Sequence, residues 1–385
     1  MKIYFVTGEP SGDLLASSLM KALKEKAPEA EFYGVGGETM KSYGFESLFD
    51  MAELTVMGFF EVIPRLPLIL KRLKQTVADI EKLAPDIIIT VDSWGFVSAL
   101  LSRLKKRQNT IPKLHYVAPQ VWAWKKGRAK NVAKLVDRLM TLLPHEPEYF
   151  EKYGLKCDFV GHPVVENRID EIDASDFRDR YNIPLEANII SVLPGSRNSE
   201  VKRLIPVFEK AADILSEKIE NLYMVIPTVE TVAKKVRKAF EDSDLPYRII
   251  TGRDERYAAF KQSIVAIAAS GTVSLELASC KTPHVVAYKF NPFTNFLADI
   301  FVKVEYANLL NLLCNKEIIP EFVLNECLAE LIANKVFELT DSKIAAQMIR
   351  ESSEGLQKLQ LPDVLPSEKA AEIVLEMIFQ NAVKK

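Results

Sequence analysis

Short apolar runs alternate with longer segments of helical period along the whole chain. The runs are rich in β-branched residues, as in "KIYFVT", "DIIITVD" and "IVAIAAS", and such runs are typical of buried strands. The longer segments, for example "DLLASSLMKALKEKA", place apolar residues every three or four positions, which indicates amphipathic helices. Because strands alternate with helices, we expect parallel sheets covered by helices. The pattern therefore predicts the α/β class.

The alternation breaks once, in the acidic stretch "VGHPVVENRIDEIDASDF", and a fresh strand begins at residue 188. A chain of 385 residues is also long for a single core. We therefore predict two doubly wound, Rossmann-like domains that face a cleft, residues 1–165 and 166–365. The final helix, within residues 366–385, crosses back to the first domain, stays with the second or packs on a partner. Ligands of such sheets bind beyond the carboxyl ends of the strands, so the cleft is the expected site.

The composition of the chain limits which partners the protein can bind and indicates its cellular compartment. With 50 basic and 52 acidic residues the net charge is −2, which gives no basic field for nucleic acid. The four cysteines form no CxxC pair and the four histidines have no HxxxH spacing, so we expect no metal site and no cofactor. The amino terminus lacks a signal-peptide core, and no window offers the roughly 20 apolar residues of a membrane span. These features predict a cytoplasmic protein.

The first candidate site is the turn "GEPSGD", residues 8–13, between an apolar strand and a helix. Gly8 and Gly12 permit a tight turn, and either Ser11 or Asp13 can cap the helix that follows. Alternatively, the backbone N–H groups at the start of the helix bind an anionic ligand. The hexapeptide alone does not decide between these interpretations.

The turn in "LPGSRNSE" is a candidate phosphate site. Gly195 and Ser196 follow a strand and precede a helix, where exposed N–H groups and the positive end of the helix dipole meet. Arg197 adds a guanidinium that can clamp two phosphate oxygens. The alternative is a capped helix with Glu200 at its third position and Arg197 facing solvent.

The stretch "ASGTVSLE" repeats this arrangement. Ser270, Gly271 and Thr272 form a small-residue turn whose amides can hold a second phosphate. Glu276 lies one helical turn further on, where a carboxylate can accept hydrogen bonds from ribose hydroxyls. Two phosphate turns in one α/β domain indicate a nucleotide diphosphate, although each turn alone can be a helix cap.

Asp92 ends the apolar run "DIIITVD". A carboxylate at the carboxyl end of a strand faces the predicted cleft, which suits a general base. A cap on the following helix, "WGFVSALLSRL", is the equally supported alternative.

Residues 56–76 form an unusually apolar helical segment that also carries cations, namely Arg65, Lys71, Arg72 and Lys74. Apolar bulk beside cations is typical of a helix lying on an anionic membrane face. The cluster "VWAWKKGRAK", residues 121–130, combines tryptophan with cations in the same way. A core helix and a solvated basic patch are the alternatives.

Together the motifs resemble the lipid-A-disaccharide synthase family, two-domain glycosyltransferases of the GT-B type. They are, in chain order, "GEPSGD", "GVGG", "YVAPQVWAWKKGR", "FVGHP", "LPGSR", "ASGT" and "NLL". The resemblance implies an inverting transfer of 2,3-diacylglucosamine from its UDP conjugate to the 6-hydroxyl of 2,3-diacylglucosamine 1-phosphate. The products are a β-1,6 disaccharide and UDP. Rival interpretations are another GT-B enzyme on a UDP-sugar, such as an epimerase or soluble-acceptor transferase, and an inactive nucleotide-sugar-binding membrane adaptor.

The resemblance also implies roles for residues. Asp92 is the implied general base. The implied substrate- and nucleotide-binding residues are Glu9, Ser11, Gly12, Gly195, Ser196, Arg197, Ser270, Gly271, Thr272, Glu276 and Asn311. Two positions depart from the family pattern. The sequence "DSWGF" stands where "DAPDF" is usual. The family commonly has Gln after "PE", whereas this chain reads "PEFVLN", so the role of Asn325 is open.

Both implied substrates carry acyl chains, which gives residues 56–76 a purpose. We expect this segment to dock the protein on an anionic membrane surface and to admit the lipids. The expected location is therefore peripheral, on the cytoplasmic face of the inner membrane. A homodimer is one alternative for the oligomeric state.

Overall fold

The computed structural model describes residues 1–54, 59–121, 127–289 and 306–384. The chain divides into two compact units. Met1–Glu166 and Leu359–Lys385 form the first unit, and Asn167–Lys358 forms the second. The chain therefore passes from one unit to the other twice.

The first unit is built on a parallel sheet of six strands in the order β2-β1-β3-β4-β5-β6. The strands are β1 (Lys2–Thr7), β2 (Glu31–Val35), β3 (Ile87–Val91), β4 (Lys113–Tyr116), β5 (Arg138–Thr141) and β6 (Lys156–Phe159). The helices between them are α1 (Pro10–Lys26), α2 (Glu38–Lys41), α3 (Phe59–Leu83), α4 (Trp94–Lys106), α5 (Arg128–Leu135) and α6 (Glu148–Glu151). Alternate β1 side chains enter two separate cores, Phe5 on one face and Tyr4 on the other, because helices cover both faces.

The second unit repeats this plan with the order β12-β11-β10-β7-β8-β9. Its strands are β7 (Asn188–Leu193), β8 (Leu222–Pro227), β9 (Tyr247–Ile250), β10 (Val265–Ala269), β11 (His284–Tyr288) and β12 (Glu321–Val323). Its helices are α7 (Phe177–Tyr181), α8 (Asn198–Ser216), α9 (Glu230–Ala239), α10 (Arg253–Gln262), α11 (Val273–Ser279), α12 (Leu309–Cys314), α13 (Ala329–Glu338) and α14 (Ser342–Gln357). Two parallel sheets with alternating helices confirm the predicted α/β, doubly wound class. The three-residue β12 was not predicted.

The last helix, α15 (Pro366–Lys384), belongs to the first unit. Its residues Ile373 and Val374 are buried in the same core as α1. Arg138 on β5 donates to Glu376 of this helix at 2.7 Å and to Asp158 on β6 at 2.6 and 2.9 Å. This guanidinium is 6% exposed, so two carboxylates compensate a buried charge. The apolar face and the ion pairs together hold α15 against the first sheet.

Candidate active site

Each sheet has one point where the strand order reverses. In the first unit it lies between β1 and β3, and in the second between β7 and β10. Crevices that bind ligands open at such points, beyond the carboxyl ends of the two strands. The turns "GEPSGD" and "DSW" follow β1 and β3, and the turns "LPGSR" and "ASGT" follow β7 and β10. The candidate residues, apart from Asn311, therefore fall at the two switch points.

In the first unit the start of α1 packs tightly on the end of β3. A Cβ atom on Gly12 would lie 3.2 Å from the carbonyl oxygen of Val91, and one on Gly8 would lie 2.7 Å from Ser93 Oγ. Small residues at these positions allow Ser11 Oγ to donate to Asp92 Oδ2 at 3.3 Å. Glycine here serves close approach between two turns.

Asp92 and Ser93 both have left-handed backbone, with φ of +53° and +46°. Such conformations are costly for residues other than glycine and cluster at functional sites. Asp92 Oδ1 accepts from the N–H of Ser93 at 2.8 Å, and the carboxylate is partly exposed. Ser93, the N-cap residue of α4, makes no side-chain cap. Within the described ranges, Asp92 accepts no hydrogen bond from an amide of α4, which disfavours the helix-cap interpretation.

The capping role expected for Ser11 or Asp13 on α1 is wrong. Helix α1 begins at Pro10, and no side chain caps its first turn. Asp13 is buried and instead accepts from the N–H groups of Gly37, Thr39 and Met40, at 2.7, 2.7 and 3.3 Å. Its carboxylate thus caps α2, a helix from the next strand–helix unit, which local sequence does not reveal.

In the second unit the turn after β7 is closed by its own carboxylate. Glu200 is 6% exposed and accepts from the N–H groups of Ser196 and Arg197 at 3.2 and 3.3 Å. It also accepts from the Arg197 guanidinium at 3.0 Å. Gly195 has φ of +106°, and a Cβ there would lie 2.6 Å from Glu200 Oε2. Two amides expected to hold phosphate are therefore occupied, while half of the Arg197 side chain is exposed.

The turn after β10 leaves Gly271 and Thr272 exposed at the start of α11. Glu276 lies on the first turn of this helix, and its Oε1 accepts from Arg256 Nη2 on α10 at 3.1 Å. Burial raises the pKa of the Glu276 carboxyl above its usual range, and Arg256 opposes that rise. The sequence pattern does not indicate Arg256, because α10 follows a different strand.

Asn311 is fully buried and fully hydrogen-bonded. Its Nδ2 donates to the carbonyl oxygen of Ile319 and to Glu321 Oε1, both at 2.7 Å. Its Oδ1 accepts from the N–H groups of Ile318 and Ile319, at 2.8 and 2.9 Å. The expectation that this amide contacts a substrate does not fit such saturation, so Asn311 is a structural residue in this arrangement.

A neighbouring asparagine joins the same loop to the second switch point. Asn308 Nδ2 donates to Ser274 Oγ on α11 at 2.6 Å, and Ser274 Oγ lies 2.7 Å from His284 Nε2. His284 Nδ1 lies 2.9 Å from the carbonyl oxygen of Thr282, which fixes the proton on Nδ1 and makes Nε2 the acceptor. The sequence signal was the repeated Asn in "NLLNLL", where only Asn311 was chosen.

Helix α3 carries part of the apolar basic segment. Leu66 and Leu70 are 47% and 39% exposed, beside the exposed Lys71. Arg72 is instead held by Glu53 at 2.6 Å through two nitrogens. Residues 56–58 and 122–126 of the two predicted membrane segments lie outside the described residues. In the part of the chain that is described, no helix is long and apolar enough to span a bilayer.

The described ranges also contain no group of three or more His, Cys, Asp and Glu residues arranged to hold a metal ion. The chemistry that the switch points present is instead a partly exposed carboxylate, an arginine and small-residue turns.

Solved structures place the fold among sugar-nucleotide enzymes of GT-B type. The UDP-GlcNAc 2-epimerase of Neisseria meningitidis, solved with UDP-GlcNAc, matches with a TM-score of 0.64 at 11% identity, covering 99% of this chain and 100% of that chain. MurG of Acinetobacter baumannii matches with a TM-score of 0.55 at 12% identity, covering 97% and 99%. Identities this low show the fold alone.

Sequence comparison decides the family. The family model described as lipid-A-disaccharide synthetase matches residues 3–374. The lipid-A-disaccharide synthase of Paramagnetospirillum magneticum is 44% identical over 99% of this chain and 98% of its own. That of Rhodospirillum centenum is 42% identical over 99% and 96%. The chain belongs to the lipid-A-disaccharide synthase family of glycosyltransferases, which confirms the resemblance.

Proposed function

We propose that this protein transfers 2,3-diacylglucosamine from UDP-2,3-diacylglucosamine to the 6-hydroxyl of 2,3-diacylglucosamine 1-phosphate. The products are the β-1,6 disaccharide 1-phosphate and UDP. The observation that carries the proposal is the family match over residues 3–374. The epimerase alternative has only the fold in its favour, at 11% identity.

The chemistry is one displacement with inversion. The acceptor 6-hydroxyl oxygen attacks the anomeric carbon of the donor, and the bond from that carbon to the diphosphate oxygen breaks. Asp92 takes the hydroxyl proton as general base. Its position beyond β3 and the 3.3 Å hydrogen bond from Ser11 support this role, because both hold the carboxylate at the switch point. Glu9 and Gly12 complete the wall of the acceptor side.

The leaving UDP takes negative charge, which cations and amides must stabilise. We assign this to the Arg197 guanidinium and to the turn Ser270-Gly271-Thr272, whose last two residues are exposed. Because Glu200 occupies the N–H groups of Ser196 and Arg197, the arginine side chain is the more suitable anion contact in that turn. Gly195 and Ser196 then shape the turn that presents it. Glu276 accepts from the ribose hydroxyls.

The first unit also carries a surface suited to lipid. We propose that the exposed face of α3 around Leu66 and Leu70, with Lys71 beside it, docks on anionic lipid and brings the acyl chains of both substrates to the protein. This face lies within the predicted segment 56–76. It supports a peripheral location on the inner membrane. Light scattering of the purified protein distinguishes a monomer from a homodimer.

A paired turnover assay tests the reaction. Wild type and Asp92→Asn are given both substrates in detergent micelles, and disaccharide and UDP are scored together. We expect equal amounts of both products from wild type and a loss of at least about 100-fold in the variant. Asp86→Asn is the matched control, since Asp86 lies just before β3, at its opposite end, and accepts from the N–H of Lys2. Absence of disaccharide with a folded wild type would overturn the proposal.

Vesicle sedimentation tests the lipid surface. Leu66→Ser with Leu70→Ser should weaken binding to phosphatidylglycerol-containing vesicles several-fold, since two apolar contacts are lost. Leu185→Ser is the control, because Leu185 is an 82% exposed leucine in the second unit. Equal binding by all three proteins would contradict the membrane proposal.

A further inference from the structure

Arg256 forms an ion pair with the Glu276 carboxylate, which the Tyr257 side chain also contacts. Its Nη2 donates to Glu276 Oε1 at 3.1 Å, and its guanidinium lies 5.4 Å from the centre of the Tyr257 ring. Its Nε is buried and has no hydrogen-bond partner among the described residues. The Arg256 and Glu276 side chains are only 26% and 18% exposed. A half-paired guanidinium in such an enclosed position costs desolvation that one ion pair must offset.

The arrangement of Arg256 favours a carboxylate that is ionised and fixed in orientation. A glutamate that accepts from two ribose hydroxyls must be ionised and held in one rotamer, since a protonated carboxyl has fewer lone pairs to offer. Burial alone favours the neutral form. An arginine on the neighbouring helix corrects both problems, because it supplies positive charge and a directional donor while leaving other lone pairs of the carboxylate for the ligand.

We infer that Arg256 is a positioning residue for nucleotide binding, whose guanidinium orients the Glu276 carboxylate toward the ribose hydroxyls. The inference rests on the proposed function, in which Glu276 binds the ribose. The charged or titratable groups that face Glu276 are Arg253, Arg256 and Tyr257 from α10, with Cys280 at the end of its own helix. Arg253 contributes charge without a hydrogen bond to Glu276, and its Nη2 donates to Asn167 at 2.7 Å.

Calorimetric titration of the full chain with UDP, from pH 5.5 to 8, tests the inference. Arg256→Met should raise the Kd for UDP about 10-fold at pH 7.5, the usual effect of losing a hydrogen bond to a charged group. The variant should lose more affinity than wild type as the pH falls, because burial raises the pKa of the Glu276 carboxyl and Arg256 no longer opposes that rise. Arg256→Lys restores the charge without the fork, so it should recover the flat pH profile and only part of the affinity.

Two further variants separate the possible failures. Glu276→Gln should weaken UDP binding and remove the added effect of Arg256→Met in the double variant. Wild-type affinity in Glu276→Gln would overturn the ribose assignment itself. Weak binding in Glu276→Gln with unchanged binding and pH profile in Arg256→Met would overturn only the positioning role. Arg180→Met is the control, because Arg180 on α7 pairs with Glu255, which is the neighbour of Arg256 on α10. If Arg256→Met fails to fold, the pH dependence of UDP binding by Arg256→Lys tests the inference. A Kd that rises more steeply toward low pH than in wild type would contradict it, because lysine keeps the positive charge.

Discussion

Ser11 and Asp92 lie 81 residues apart in the chain and share a hydrogen bond of 3.3 Å between Ser11 Oγ and Asp92 Oδ2. The contact joins the first turn of α1 to the end of β3, at the switch point of the first sheet. Ser11→Ala should lower kcat about 5-fold with little change in KM, because a freed carboxylate samples unproductive rotamers. Steady-state kinetics with both substrates measures the two constants separately.

Ser102→Ala is the matched control for this prediction, since Ser102 Oγ only donates to the carbonyl oxygen of Ser98 within α4. A rise in KM with unchanged kcat in Ser11→Ala would show that the hydroxyl binds substrate instead of orienting Asp92. That result would return Ser11 to the role implied by the family resemblance.

The α/β class and most strands of the described residues could be predicted because buried parallel strands are continuous apolar runs between helices of clear period. The strand β12 escaped prediction because "EFV" is too short to stand out, and only pairing with β11 defines it. The sequence likewise predicted the helix α15 but not the unit it packs in. Its partners are distant in the chain, since Arg138 lies 238 positions before Glu376.

The sequence could place the candidate residues at the ends of strands, but it could not give the contacts that depend on tertiary partners. Residues after β1, β3, β7 and β10 could be found because parallel strands end at one edge. The partners of Asp13 and Asn311 could not, because a carboxylate or amide binds whichever donors the fold brings near. Glu200 was within reach of the sequence, since the capped-helix alternative placed it at the third helical position, where it accepts from the amides otherwise expected to hold phosphate.

Gly195 should not tolerate a side chain. Its φ of +106° is unfavourable for alanine, and the added Cβ would lie 2.6 Å from Glu200 Oε2. Gly195→Ala should therefore destabilise the second unit by at least about 2 kcal/mol, measured by scanning calorimetry. Gly95→Ala is the contrasting variant, because Gly95 lies inside α4 with nothing within 4 Å of the added Cβ, and alanine there should be neutral or stabilising. Equal unfolding temperatures for the two variants would contradict the strain at Gly195.

Acid should destabilise the second unit through His284. Burial lowers the pKa of this histidine from 6.5 to about 4, so the unfolded chain binds its proton more readily than the folded one. The contribution of neutral His284 to the free energy of unfolding is fully present above pH 6.5 and is lost as the pH falls toward 4. The loss at pH 5 is roughly 2 kcal/mol. Hydrogen exchange of β10 and β11 at pH 7.5 and 5 measures the change locally.

His284→Gln is the variant for this measurement. It should be less stable than wild type at pH 7.5, since the bonds to Ser274 and Thr282 are disturbed. Its stability should nevertheless fall less between pH 7.5 and 5, because glutamine does not titrate. An identical pH slope in the two proteins would assign the acid sensitivity to other groups.

The place of α15 in the first unit predicts which unit its mutations affect. Ile373 is 2% exposed in the core shared with α1, so Ile373→Ala should destabilise the first unit by about 2–4 kcal/mol. Trp94 packs against a core of the first unit, and the other two tryptophans also fall within the range Met1–Glu166, so we use tryptophan fluorescence to follow unfolding of that unit. Phe379→Ala on the same helix is the control, because Phe379 is 65% exposed and should change little. We expect Ile373→Ala to lower the midpoint of unfolding followed by fluorescence. Amide hydrogen-exchange protection in β7 and β8 should not change. Loss of protection in those second-unit strands without a change in fluorescence would place α15 against the other sheet.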